Sequence, residues 1–101
     1  MAFIKVAATP DLPAGKAIAV TVGNKKIALF NVKGQYYAID DACTHAGGSL
    51  SEGAVDGTMV SCPWHGATFD LTTGEALTPP AFEKTGKYKV SVEGQDISLE
   101  I

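Results

Sequence analysis

Both cysteines and both histidines of the chain fall in two short stretches, ACTHAGGSL (42–50) and VSCPWHGATFD (60–70). Cys43 and His45 are spaced C-x-H, Cys62 and His65 are spaced C-x-x-H, and residues 46–61 separate the two pairs. Two thiols and two imidazoles can serve three chemistries. A zinc ion would accept them tetrahedrally, although structural Cys₂His₂ sites usually pair Cys with Cys and His with His. A nucleophilic Cys–His pair would need one residue of each kind and would leave the second pair idle. An iron–sulfur cluster in which two imidazoles replace two thiolates on one iron would use all four. Unrelated core thiols and surface imidazoles would make the pairing a coincidence that takes in every Cys and His present. Residue types and spacing leave these readings open.

The elements that must position the four residues read as strands. AIAVTV (17–22) sets Ile18, Val20 and Val22 on one face, KYKVSVE (87–93) does the same with Tyr88, Val90 and Val92, and DISLEI (96–101) with Ile97, Leu99 and Ile101. Period-two alternation marks strands that bury one face and wet the other. Gly23-Asn24, Lys33-Gly34 and Glu93-Gly94 are short enough to close antiparallel hairpins, the second flanked by KKIALFNV and QYYAID. Each Cys–His pair follows a strand pattern, YYAID or TMVS. Gly47, Gly48 and Gly66 crowd the two pairs; such residues form tight turns, and their backbone N–H groups can also approach an anionic centre closely. No stretch shows ten or more residues of helical periodicity, so the expected class is an all-β sandwich or small barrel built from hairpins.

Composition limits the partners. With 101 residues, 46% hydrophobic and 19% charged, the chain suits one domain spanning 1–101. A formal charge of −3 argues against nucleic acid, whose phosphates call for clustered Lys and Arg. The start, MAFIKVAATPDLPAG, has neither a signal-peptide core nor a spanning segment, so no membrane partner and a cytoplasmic location are expected. In a reducing cytosol, two cysteines serve as thiols or ligands more readily than as a disulfide.

CTH (43–45) and CPWHG (62–66), with the glycine-rich AGGSLSEG between them and TGEALTPP after, make the sequence resemble the Rieske-type ferredoxins, over nearly the whole chain to KYKVSVEGQDISLEI. The resemblance implies a Rieske-like antiparallel β-sandwich with a small cluster-binding subdomain formed by two loops. It implies one [2Fe–2S] cluster, with Cys43 and Cys62 on the inner iron and His45 and His65 on the outer. It further implies an electron carrier rather than an enzyme: the ferredoxin component of a ring-hydroxylating dioxygenase system. Such a protein takes single electrons from an NAD(P)H-dependent flavoprotein reductase to a terminal oxygenase. The small subunit of an NADH-dependent nitrite reductase is similar in size and fold and is the alternative within redox proteins. A zinc-stabilised β binding module is the alternative outside them.

Two neutral imidazoles in place of two thiolates leave an oxidised [2Fe–2S] site near neutral, so it accepts an electron more easily than an all-thiolate site. Such centres lie roughly between −150 and +300 mV, against about −400 mV for plant-type ferredoxins. Rieske proteins of quinol-oxidising complexes usually carry an extra disulfide and hydroxyl donors after the second His; this chain has no further Cys and presents Ala67 and Phe69 there. Fewer donors predict a potential at the low end of the range. Imidazoles polarised by the ferric centre predict a potential that falls at alkaline pH. Trp64 reads equally as packing or as a shield or partner contact, and Pro79-Pro80 as a stiff turn that the resemblance lays over the cluster. Asp40 and Asp41 read as a solvated strand end, with steering of a basic partner as the alternative.

Overall fold

The computed structural model describes residues 3–41, 49–63, 68–75, 77 and 86–100. Among the described residues nine strands run in chain order: β1 (Phe3–Ala8), β2 (Ala17–Val22), β3 (Lys25–Val32), β4 (Gln35–Asp40), β5 (Ala54–Asp56), β6 (Met59–Ser61), β7 (Thr68–Asp70), β8 (Lys87–Glu93) and β9 (Asp96–Glu100). Two single-turn 3-10 helices, Thr9–Asp11 and Leu50–Glu52, are the helical elements among the described residues. No helix there is long and apolar enough to cross a membrane. The all-β expectation holds.

The strands form a six-stranded sheet, ordered β1-β9-β8-β4-β3-β2, and a three-stranded sheet, β5-β6-β7, with antiparallel pairing throughout. Glycine closes the hairpins where the chain needs a positive φ. Lys33 and Gly34 both adopt it, at 54° and 89°, as a turn twisted to match its strands requires. The buried Asn31 side chain braces that turn, accepting from the Gly34 N–H at 2.9 Å and donating to the Leu12 carbonyl at 2.8 Å. The β8–β9 hairpin differs by one residue from the expected Glu93-Gly94 turn. Glu93 pairs with Asp96, so the two-residue turn is Gly94-Gln95, with φ at 58° on Gly94. Glycine thus takes the first loop position, where a positive φ costs it nothing.

The large sheet has its shortest pairing at β4 and β8, where only Ala38 with Tyr88 and Ile39 with Lys87 are in register. Its two halves face one another across a core of Leu12, Ile27, Leu29, Ala38, Ile97 and Leu99. Ile18, Val20, Val22, Tyr88 and Val90 line this core from their expected faces, while Val92, at the end of the same pattern, is exposed.

Residues Ile27 to Asn31 of β3 are all buried, so this strand is covered on both sides. Ile27 and Leu29 face the first core. Ala28 and Phe30 face a second, shared with Ile39, Leu50, Val60, Cys62, Phe69 and Leu71. The small sheet therefore lies against the back of β3 and β4, making β3 and β4 the middle layer of three. Each fully buried Leu, Ile or Phe contributes roughly 1.5–3 kcal/mol, and the small sheet owes its placement to this second core.

Candidate metal centre

Of the four expected ligands, the structure describes Cys62. Cys43 and His45 in 42–48 and His65 in 64–67 lie outside the described residues, as do Trp64, Ala67, Pro79 and Pro80. Cys62 directly follows β6, as its strand pattern predicts, although that strand opens at Met59 rather than Thr58. Its thiol is free, buried at 3% exposure, and sits in the core that joins the small sheet to the middle layer. Phe69, fully buried in the same core, pairs with Val60 across β6 and β7. A buried thiol with no disulfide, held at the end of a strand by close packing, has the chemistry and the fixed position that a metal ligand needs.

The backbone beside Cys62 is set from the other strand by Gly53. A Cβ on Gly53 would overlap the carbonyl oxygen of Ser61, so only glycine allows β5 to approach the residue preceding Cys62. Ser61 pairs with Ala54 on one side and Thr68 on the other. Cys62 thus leaves the central strand of the small sheet, where both neighbours hold it in register.

Asp40 and Asp41 are not the solvated strand end expected from sequence. Asp41 is 2% exposed; its Oδ2 accepts from the Ser49 hydroxyl at 2.5 Å and its Oδ1 from the Ser51 N–H at 2.8 Å. Its backbone carbonyl accepts from the Leu50 N–H at 2.6 Å, and Lys26 Nζ stands 3.5 Å from Oδ2. Burial raises the Asp41 pKa. The hydrogen bonds from Ser49 and Ser51, with the Lys26 charge, outweigh it and hold the carboxyl below its ordinary value.

Asp40 accepts at Oδ1 from the Tyr88 hydroxyl, at 2.6 Å, and at Oδ2 from the Gly86 N–H, at 3.0 Å, while its own N–H donates to the Gly86 carbonyl at 2.9 Å. Lys25 Nζ lies 5.5 Å from the centre of the Tyr88 ring. The two adjacent carboxylates therefore tie the end of β4 to different parts of the chain: Asp41 to residues 49–51 and Asp40 to residues 86–88. Neither role is legible in the local sequence, because the partners lie 8 to 48 positions away.

Residues 2–89 match the Rieske [2Fe–2S] domain family. The ferredoxin subunit of the 3-phenylpropionate/cinnamic acid dioxygenase of Escherichia coli (strain K12) is 46% identical over 92 residues, covering 90% of this chain and 86% of that protein. The ferredoxin component of the naphthalene 1,2-dioxygenase system of Pseudomonas aeruginosa is 36% identical over 99 residues, covering 98% and 95%. Among solved structures, the complex of reduced oxygenase and oxidized ferredoxin in carbazole 1,9a-dioxygenase contains a chain that superposes with a TM-score of 0.89 at 36% identity, covering 96% of this chain and 91% of that one. The small subunit of a nitrite reductase shares the fold, with a TM-score of 0.86, at only 20% identity.

Proposed function

This chain belongs to the Rieske [2Fe–2S] domain family, and on that premise we propose that Cys43, His45, Cys62 and His65 hold its cluster. The two thiolates would hold one iron and the two neutral imidazoles the other. When bound, the cluster supplies one-electron redox chemistry. The observation that carries the assignment is Cys62, a buried free thiol locked at the end of β6 by a core and by a strand that only Gly53 can bring close. Its donor class, and that of its three counterparts in the sequence, fits the group.

The chain is an electron carrier, not an enzyme in its own right, and resembles the ferredoxin components of dioxygenase systems along nearly its full length. In the role we propose, it accepts electrons from an NAD(P)H-dependent flavoprotein reductase and delivers them to a terminal ring-hydroxylating oxygenase. The likeness to a chain in an oxygenase–ferredoxin complex supports this pairing over the nitrite reductase alternative, whose small subunit shares the fold at low identity. We propose that residues 1–101 form a single domain and that it works in the cytoplasm, where a reducing environment keeps ligand thiols from disulfide formation.

Replacing each of the four residues in turn with Ser or Ala and measuring iron and acid-labile sulfide per chain tests the assignment. Each substitution is expected to abolish or sharply reduce cluster content. Any one of the four that leaves content and spectrum unchanged is not a ligand.

A further inference from the structure

We propose that Asp41 is a positioning residue for the cluster, fixing the ligand-bearing segment 42–48 by joining its two ends. The inference rests on the ligand reading above and deepens it. Cys43 and His45 lie within a stretch whose entry is Asp41 and whose exit is Ser49. Three hydrogen bonds bridge that entry and exit: the Leu50 N–H to the Asp41 carbonyl at 2.6 Å, the Ser51 N–H to Oδ1 at 2.8 Å, and the Ser49 hydroxyl to Oδ2 at 2.5 Å.

The arrangement is built rather than incidental. The carboxylate is 2% exposed, Lys26 reaches Oδ2 at 3.5 Å from β3, and the Asp41 N–H donates to the Lys26 carbonyl at 3.0 Å. The Ser49 and Ser51 hydroxyls stand 3.1 Å apart, so both side chains stay with the clamp. Next to them, Leu50 is fully buried in the core that also contains Cys62. The exit of the first ligand segment and the second ligand strand therefore share one packed unit. Closing a loop between fixed ends removes the conformational freedom that two ligands within it would otherwise lose on binding. Ligand geometry in turn sets the electronic character of a metal site.

A clamp that positions ligands and one that merely stabilises the fold differ in what their loss changes. The test compares the purified holoprotein with Asp41→Asn, Asp41→Ala and Ser49→Ala, and with Ile97→Val, a trim in the core that lacks Cys62. Three readings are taken: the rate of cluster bleaching under excess iron chelator, the EPR g values of the reduced state, and the melting temperature. Asp41→Ala is expected to bleach at least tenfold faster with shifted g values, and Asp41→Asn and Ser49→Ala to fall between it and the wild type. Ile97→Val is expected to lower the melting temperature while leaving bleaching and g values unchanged. If Asp41→Ala does not fold, Ser49→Ala and Asp41→Asn carry the same test. Variants that bleach and resonate like the wild type, or an Ile97→Val protein that matches them in both readings, overturn the clamp alone. A wild-type chain that takes up no iron or sulfide overturns the ligand reading and the clamp with it.

Discussion

The Tyr88 hydroxyl donates a 2.6 Å hydrogen bond to Asp40 Oδ1, fastening β8 to the last residue of β4. This is the junction where the ladder of the large sheet is thinnest. A side-chain bond there does part of the work that strand pairing does elsewhere.

Burial and the neighbouring Asp40 carboxylate push the Tyr88 pKa up from 10.0 to about 12. Since the folded state holds the proton more tightly than the unfolded chain, the stabilisation is intact below pH 10.0 and is lost as the pH climbs towards about 12. An ultraviolet titration of the folded protein should show one tyrosine ionising late. Tyr88→Phe should remove that late phase.

Gly86 admits the Asp40 carboxylate because it has no side chain; a Cβ there would overlap Oδ2. Gly86→Ala should displace the carboxylate, cost about 1 kcal/mol by weakening its hydrogen bonds to the Gly86 N–H and the Tyr88 hydroxyl, and bring the Tyr88 titration closer to normal. Urea denaturation and the same ultraviolet titration check the two halves of this expectation.

The clash at Gly53 is with backbone rather than with a movable side chain, so it cannot be relieved cheaply. Gly53→Ala should cost about 4 kcal/mol or more, in the range reserved for specific structural failures. It should also release iron, because the displaced carbonyl belongs to the residue before Cys62. A variant within about 1 kcal/mol of the wild type by denaturant titration would contradict the close approach of β5 and β6.

Phe69 offers no hydroxyl to the core that contains Cys62, and Ala67 none to the segment leading into it. The reduction potential should therefore lie near the lower end of roughly −150 to +300 mV. Phe69→Tyr and Ala67→Ser should each raise it, as added donors favour the more negative reduced state. A redox titration with mediators reads the direction, and a wild-type potential far above zero would contradict the account.

Much of the framework was legible because it depends on local pattern. Ile18, Val20, Ile97 and Leu99 alternate with polar residues and fall on the face of one core, and Gly23 and Gly34 mark hairpins that need a positive φ. The double burial of β3 went unread in the run Ile27-Ala28-Leu29-Phe30, although a continuous apolar stretch suits a strand covered on both sides. Strand β5 left no such trace: its three residues are all exposed, and pairing with β6 alone defines it. Asp40 and Asp41 were misread for a different reason. An acidic pair at a strand end looks solvated until tertiary structure brings up Ser49, Ser51, Gly86 and Tyr88, and no local periodicity encodes those partners. The two cysteines, the two histidines and their spacing were plain in the sequence, and a strand end and a core fix the place of Cys62, one of the four proposed ligands.

Mixed ligation by two thiolates and two imidazoles is the central claim, and an EPR spectrum of the dithionite-reduced protein tests it most directly. Two imidazoles on one iron should give a rhombic signal whose average g value lies clearly below that of all-cysteine ferredoxins. A signal of the all-cysteine type, or a colourless and EPR-silent protein that contains zinc after anaerobic reconstitution with iron and sulfide, would contradict it.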